Sequence, residues 1–363
     1  MREILELLNI KWCINNFFKV IIYTSKIKLL IDVYYNSKQK RIINKRIRRF
    51  FMNTEDYFLI KDTNINPENI KIPELADKEL NIIQEYIEFT RHIQEIDQLF
   101  HIFKVNLENL LTNYELINDD TFFRKTNVFK ENDDRIILNT FFINYISSAK
   151  TLVESIDNFF YEKLGEEKYN TYKTDCINKI YDEKFSYRLL IRLRDFSQHG
   201  HLPVYISIDN KCSFDLEQIL NTPHFKHNKK MKEEMKSISS KIKKDFEDNP
   251  RIMFTRSIAE FEICILEIYN YFIIKSIDKL TDLRKKFDDL IYRRPDIIYK
   301  SKDSLNGFIL YTIIDENVHC VDPKQNPMKM MENIRDDVKK EWENAKKEFE
   351  KIFRMKIIKE TKK

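Results

Sequence analysis

The chain has 363 residues, 42% of them apolar and 33% charged, with a formal net charge of +5. The apolar share supports a substantial packed core and excludes a disordered chain, and the near balance of charge excludes a molecule whose overall field gathers polyanions. Five scattered cysteines, Cys13, Cys176, Cys212, Cys264 and Cys320, contain no CxxC pair, which argues against a zinc ribbon or a disulfide framework and predicts a reduced, cytoplasmic setting.

The positive charge is concentrated at the front. Residues 1–51 carry twelve Lys and Arg against Glu3, Glu6 and Asp32, whereas the remaining residues carry 51 basic and 55 acidic side chains. The densest basic run, "KQKRIINKRIRRF", presents Lys38, Lys40, Arg41, Lys45, Arg46, Arg48 and Arg49. It reads either as a footprint for RNA phosphates or anionic lipid, or as a solvated helix face. The apolar run before it, "NFFKVIIYTSKIKLLIDVYY", is interrupted by Lys19, Lys26, Lys28 and Asp32, so no transmembrane segment is expected there. No small-residue cleavage site follows it, which argues against a signal peptide. Met52 opens "MNTEDYFLIKD" in the manner of a protein start, so residues 1–51 are expected to be a basic helical arm separate from the body.

With only 3 Gly and 8 Pro and with abundant Lys, Glu, Ile, Leu and Phe, the rest predicts a mainly α fold, a multi-helix bundle with small β-hairpin additions. After Pro73 the apolar positions Ile82, Tyr86, Phe89, Ile93, Ile96, Phe100, Phe103, Leu107, Leu110 and Tyr114 step by fours and threes, predicting one long helix with a single buried stripe. A second helix is predicted from about Asp133 to Leu164, capped by Asn132 or Asp133, with Leu138, Phe142, Tyr145, Ala149, Leu152, Ile156 and Phe159 inward and an end near Gly165. A third helical stretch runs from about Glu166, turns Phe185, Leu189, Leu193 and Phe196 inward, and stops at Gly200, where a left-handed backbone ends it and Pro203 prevents its resumption.

Beyond Pro203 the pattern changes. Alternating Val204, Ile206 and Ile208 before Asp209-Asn210 predict a β-hairpin near 203–217. Met231, Met235, Ile238, Ile242 and Phe246 mark a half-buried surface helix, and Asn249-Pro250 opens a strong helix with Phe254, Ile258, Phe261, Ile265, Ile268 and Phe272 inward. The bundle is thus expected to span 52–295. The last segment, 296–363, predicts a small β element, "GFILYTIIDENVHCV", and a charged helix from about Pro327.

The candidate site lies in "RLRDFSQHGHLPV", residues 192–204. On a helix, Asp195 and His199 are about 40° apart around the axis, close enough for the carboxylate to fix the imidazole's tautomer, and Arg194 leaves from an adjacent face. A guanidinium fork suits a phosphate, and a histidine at a helix C-terminus meets the negative end of the dipole. The same pattern also arises simply because charge there stabilises helices. His201 is a second candidate proton carrier or a solvated loop residue; Arg192 and Arg188 either extend a phosphate track or are surface arginines.

"RDFSQH" resembles the R-polar-xxx-H signature of the HEPN superfamily, with Arg194 matching its arginine, Asp195 its polar residue and His199 its histidine. The resemblance covers roughly residues 76–275. It implies a helical, usually dimeric protein and, in many members, a metal-independent endoribonuclease of phage-defence, abortive-infection or toxin–antitoxin systems, with no cofactor. It further implies that His199 transfers a proton, that Arg194 stabilises charge on the phosphate, and that two motifs face each other in a homodimer, with an antitoxin or defence partner protein. Other members are inactive scaffolds or nucleotide binders, so an RNA-binding protein without catalysis is the alternative. A third reading lays the 16–35 run on a membrane surface with the bundle as a sensor.

The remaining histidines carry less. His101 is four residues from Asp97, predicting a helix pair, and His92 lies beside the apolar stripe. His224 and His227 in "HFKH" have metal-like spacing without partners, and His319 beside Cys320 falls on a predicted strand. No Gly-rich phosphate loop, GxSxG or HExxH occurs.

Overall fold

In a computed structural model of the full chain, the residues described are 74–118, 131–198, 200–206, 212–214, 219, 233, 250–299, 308–314, 317–321 and 327–360. They form a mainly α fold. In chain order the elements are α1 (Asp77–Asn118), α2 (Glu131–Phe159), a π-helical turn (Phe160–Leu164), α3 (Glu166–Tyr172), a second π-helical turn (Lys173–Asn178), α4 (Lys179–Glu183) and α5 (Phe185–Gln198). After these come β1 (Val204–Ile206), β2 (Cys212–Phe214), α6 (Pro250–Arg293), a 3₁₀ turn (Pro295–Ile297), β3 (Ile298–Tyr299), β4 (Phe308–Ile314), β5 (Asn317–Val321) and α7 (Pro327–Glu360).

The stripes anticipated from the four-three spacing are the core. From Tyr86 to Leu110 on α1, from Leu138 to Phe159 on α2 and from Phe254 to Phe272 on α6, every predicted position is buried, and Ile82 and Tyr114 pack at its edge. Burying such stripes supplies the dominant favourable term, about 25 cal/mol per Å² of apolar surface removed from water. Ring pairs interlock the helices: Phe100 of α1 stacks on Tyr269 of α6 at 3.9 Å, Phe103 on Tyr145 of α2 at 5.3 Å, and Tyr145 meets Phe261 of α6 edge-on at 5.7 Å. α2 packs on α1 and α5, and α6 contacts all three as well as α7.

Three local expectations change. α2 starts at Glu131 instead of after Asn132 or Asp133. The stretch from Glu166 to the motif is not one helix. It passes through the π-helical turn at Lys173–Asn178 and breaks at Lys184 (φ −108°, ψ 103°), so Arg194 to Gln198 belong to a separate helix of 14 residues. Arg188 is not a surface arginine: it is buried, and its Nη1 donates to the Tyr181 and Asp182 carbonyls, closing the end of α4. Burying a guanidinium is tolerable only when donors of this kind are satisfied.

The hairpin after Pro203 has the expected place. β1 and β2 pair antiparallel with Val204 opposite Phe214 and Ile206 opposite Cys212. β4 and β5 flank the expected "DEN" turn, with Ile314 opposite Asn317, and the two-residue β3 adds a third strand at the β4 edge. The predicted surface helix from Met231 to Phe246, both turn segments and residues 1–51 lie outside the described residues, Glu233 excepted. One helical segment among the described residues, Arg135–Leu164, is long and apolar enough to cross a membrane, and its apolar face is the one buried on α1 and α6.

Candidate functional site

α5 is amphipathic by construction. Leu189, Leu193 and Phe196 are wholly or almost wholly buried and Phe185 partly so, which turns Arg192, Asp195 and Gln198 toward the flank shared with α2. Ser186, buried near the helix start, donates to Glu260 of α6 at 2.6 Å and fixes the other end. Gly200 adopts φ +83°, as a left-handed helix terminator requires, and its N–H donates to the Ser197 carbonyl at 3.1 Å.

Asp195 is the hub of a charged cluster. Its Oδ1 accepts from Lys150 Nζ of α2 at 2.9 Å and from Arg194 Nη1 at 3.4 Å, and Arg192 Nη1 stands 3.9 Å from Oδ2. Arg194 also donates to Gln198 Oε1 at 2.6 Å. Partial burial pushes the Asp195 carboxyl up, but the hydrogen bond and charge of Lys150, joined by Arg194, outweigh it and hold the group below the usual carboxylate range. The Asp195 and Lys150 side chains are 20% exposed and Arg194 is 24% exposed, so the cluster is half-buried. The Nε atoms of Arg192 and Arg194 are buried without a hydrogen-bond partner, while their terminal nitrogens face the carboxylate. Glu154, 3.9 Å from Lys150, is the second carboxylate of the cluster, which leaves one positive charge in excess.

Of the residues singled out from sequence, Arg192, Arg194 and Asp195 come together; His199 lies outside the described residues. Lys150 was missed, being 45 residues from its partner on another helix. His201 is exposed, and its ring lies on Phe196 with 4.6 Å between centroids and 25° between planes. The basic run from Lys38 to Arg49, His224 and His227 are likewise outside the described residues, and His319 is located only as a backbone position on β5.

The two histidines of α1 have local partners. His92 Nδ1 donates to the Glu88 carbonyl at 2.6 Å. His101 pairs with Asp97 at 3.5 Å, the helix pair expected from their spacing, and the same carboxylate accepts the Tyr269 hydroxyl at 2.5 Å. The hydrogen bond to Asp97 raises the affinity of His101 for its proton despite partial burial. Beside it, Lys104 joins Glu262 of α6 at 2.8 Å and Glu341 of α7, an ion network that ties three helices. Among the described residues, no group of three or more His, Cys, Asp or Glu is placed to hold a metal ion.

Compared with protein-family profiles, curated proteins and solved structures, the chain matches none.

Proposed function

We propose that this protein is a HEPN-like endoribonuclease that cleaves single-stranded RNA by transesterification, in a phage-defence, abortive-infection or toxin–antitoxin setting. What supports the reading is the convergence of Lys150, Arg192 and Arg194 on Asp195 near the C-terminal end of α5. Three cations against the two carboxylates of Asp195 and Glu154, a surplus of one positive charge, suit a phosphodiester better than they suit a structural ion pair, which needs only one partner.

In this proposal the 2′-hydroxyl oxygen attacks phosphorus, the O2′–P bond forms, and the P–O5′ bond breaks to leave a 2′,3′-cyclic phosphate and a 5′-hydroxyl. The proton lost by the 2′-hydroxyl ends on the departing O5′, carried by His199 and by the His199 of a second protomer across a dimer. Arg194 and Lys150 compensate charge on the non-bridging oxygens as it develops. Asp195, held ionised by its cations, keeps the Arg194 guanidinium in place.

The test is cleavage of a labelled single-stranded RNA in excess EDTA. Arg194→Ala is expected to slow it about a hundredfold or more, and His199→Ala by a similar or larger factor, with unchanged far-UV circular dichroism. Undiminished cleavage by His199→Ala removes the assignment. Binding that survives without any cleavage in the wild type leaves the RNA-binding reading in its place.

A further inference from the structure

Two exposed aromatic rings follow the motif helix, and each is held from beneath. His201 rests one face on Phe196, which is 1% exposed and therefore rigidly packed, so the other face of the imidazole is turned to solvent. Four residues on, Tyr205 is the outward residue of β1, 43% exposed between buried Val204 and half-buried Ile206. The Arg135 guanidinium of α2 stands 5.8 Å from its ring centroid. Between them, Leu202 is 39% exposed. Within five residues the chain thus exposes His201, Leu202 and Tyr205 while burying Pro203 and Val204 between them.

The framework under the rings is stiff. Asn139 Nδ2 donates to the Val204 carbonyl at 2.8 Å while its Oδ1 accepts the Val204 N–H at 2.9 Å, pinning β1 to α2 next to Tyr205. Arg135 and Lys150 are fifteen residues apart on α2, about 60° apart around its axis and about 22 Å along it. That flank therefore carries a cation at each end, with the motif between, over a length of roughly six stacked nucleotides. The Arg135 Nε, like those of Arg192 and Arg194, is buried without a hydrogen-bond partner.

We propose that His201 on Phe196 and Tyr205 beside Arg135 form a stacking platform for unpaired bases of single-stranded RNA whose phosphates run along the α2–α5 flank toward Lys150, Arg192 and Arg194. The proposal rests on the ribonuclease reading for its choice of nucleic acid, and it assigns His201 to base recognition in place of proton transfer. Stacking favours rings already fixed in place, because a base then displaces water without ordering the side chain. It also explains why an arginine is set at the tyrosine face: a guanidinium continues the stack and neutralises a phosphate.

The experiment measures binding of the full-length protein to a fluorescein-labelled single-stranded oligoribonucleotide and to the same strand carrying abasic positions, by anisotropy. The wild type is expected to bind the intact strand about five- to a hundredfold more tightly. His201→Ala and Tyr205→Ala should each reduce that preference, and the double variant should abolish it. His201→Phe should keep it, since a stacking ring suffices where a proton carrier would not. Equal affinity of the wild type for both strands, or a preference untouched in the double variant, overturns the platform. A base preference without any RNA cleavage rejects the ribonuclease while the platform stands, and cleavage without a base preference does the reverse. Absence of RNA binding overturns both.

Discussion

Arg188 is the residue whose role differs most from its look in the sequence, where it belongs to a run of three arginines spaced along α5. Its guanidinium reaches back to the last carbonyls of α4, donating to Asp182 at 2.7 Å and to Tyr181, and lies 5.8 Å from the Tyr181 ring. Those carbonyls have no helical N–H to accept, because the chain leaves helical geometry at Lys184. Hydrogen bonds from a charged donor to otherwise bare acceptors contribute about 1.5–3 kcal/mol, so Arg188→Ala should lower the unfolding free energy by about 2–3 kcal/mol. Urea denaturation reads this directly. Arg188→Lys should recover only part of it, since an ammonium cannot fork between two carbonyls in the same way. A midpoint unchanged by Arg188→Ala would mean that water replaces the guanidinium without loss and that α4 does not depend on it. Arg192, one turn further, is 40% exposed and near Asp195, so the two arginines divide into a structural one and a surface one although nothing in their immediate neighbours distinguishes them.

Between elements, Asn139 is the joint that holds the hairpin on the bundle. It is wholly buried, its Nδ2 bonds to the Arg135 and Val204 carbonyls, and its Oδ1 takes the Val204 N–H. Replacing it with alanine leaves the amide and carbonyl of Val204 bare in an enclosed position, at a cost of about 2–4 kcal/mol. Exchange of the Val204 amide with deuterium should accelerate in Asn139→Ala while amides in the middle of α2 keep their protection; unchanged exchange at Val204 would show that the hairpin is held by Val204 and Phe214 packing alone. Asn139 was invisible from sequence because a lone polar residue beside an apolar stripe has no signature, and its partner is 65 residues away. The same holds for Lys150, whose partner Asp195 was legible but lies 45 residues away on another helix. By contrast, the stripes of α1, α2 and α6 and the stop at Gly200 were legible, since a 3.6-residue period and a left-handed glycine are properties of adjacent residues. The π-helical turns flanking α3 escaped notice for the opposite reason: one extra residue per turn shifts the stripe without interrupting it, and Phe160 still stacks on Tyr172 at 4.2 Å. For the candidate site, then, Arg192, Arg194 and Asp195 could be named from the sequence, while the approach of Lys150 to Asp195 had to come from the fold.

At the scale of the whole molecule, charge is divided unevenly along the chain. Residues 1–51 hold twelve basic and three acidic side chains, and the remainder carries slightly more acid than base. On the ribonuclease proposal, a body with slightly more acid than base offers RNA no long-range attraction, the local surplus at Lys150, Arg192 and Arg194 acts at contact, and the basic run at Lys38 to Arg49 is the segment whose charge would attract from a distance. Each phosphate neutralised by a cation releases counterions, which makes the logarithm of affinity for a single strand fall with the logarithm of salt concentration by about 0.7 per contact. If the seven basic residues Lys38, Lys40, Arg41, Lys45, Arg46, Arg48 and Arg49 all touch phosphate, changing them to glutamine should reduce the slope by about five. The three cations of the α2–α5 flank would leave a residual slope of about two. Anisotropy titrations of one RNA at several salt concentrations measure both values on the same protein. A slope that the glutamine variant leaves intact would assign phosphate binding to the flank alone and make the basic run a solvated surface. A slope that falls to zero would remove the phosphate role of Lys150, Arg192 and Arg194, and with it the physical ground for placing the reaction at Asp195 and His199.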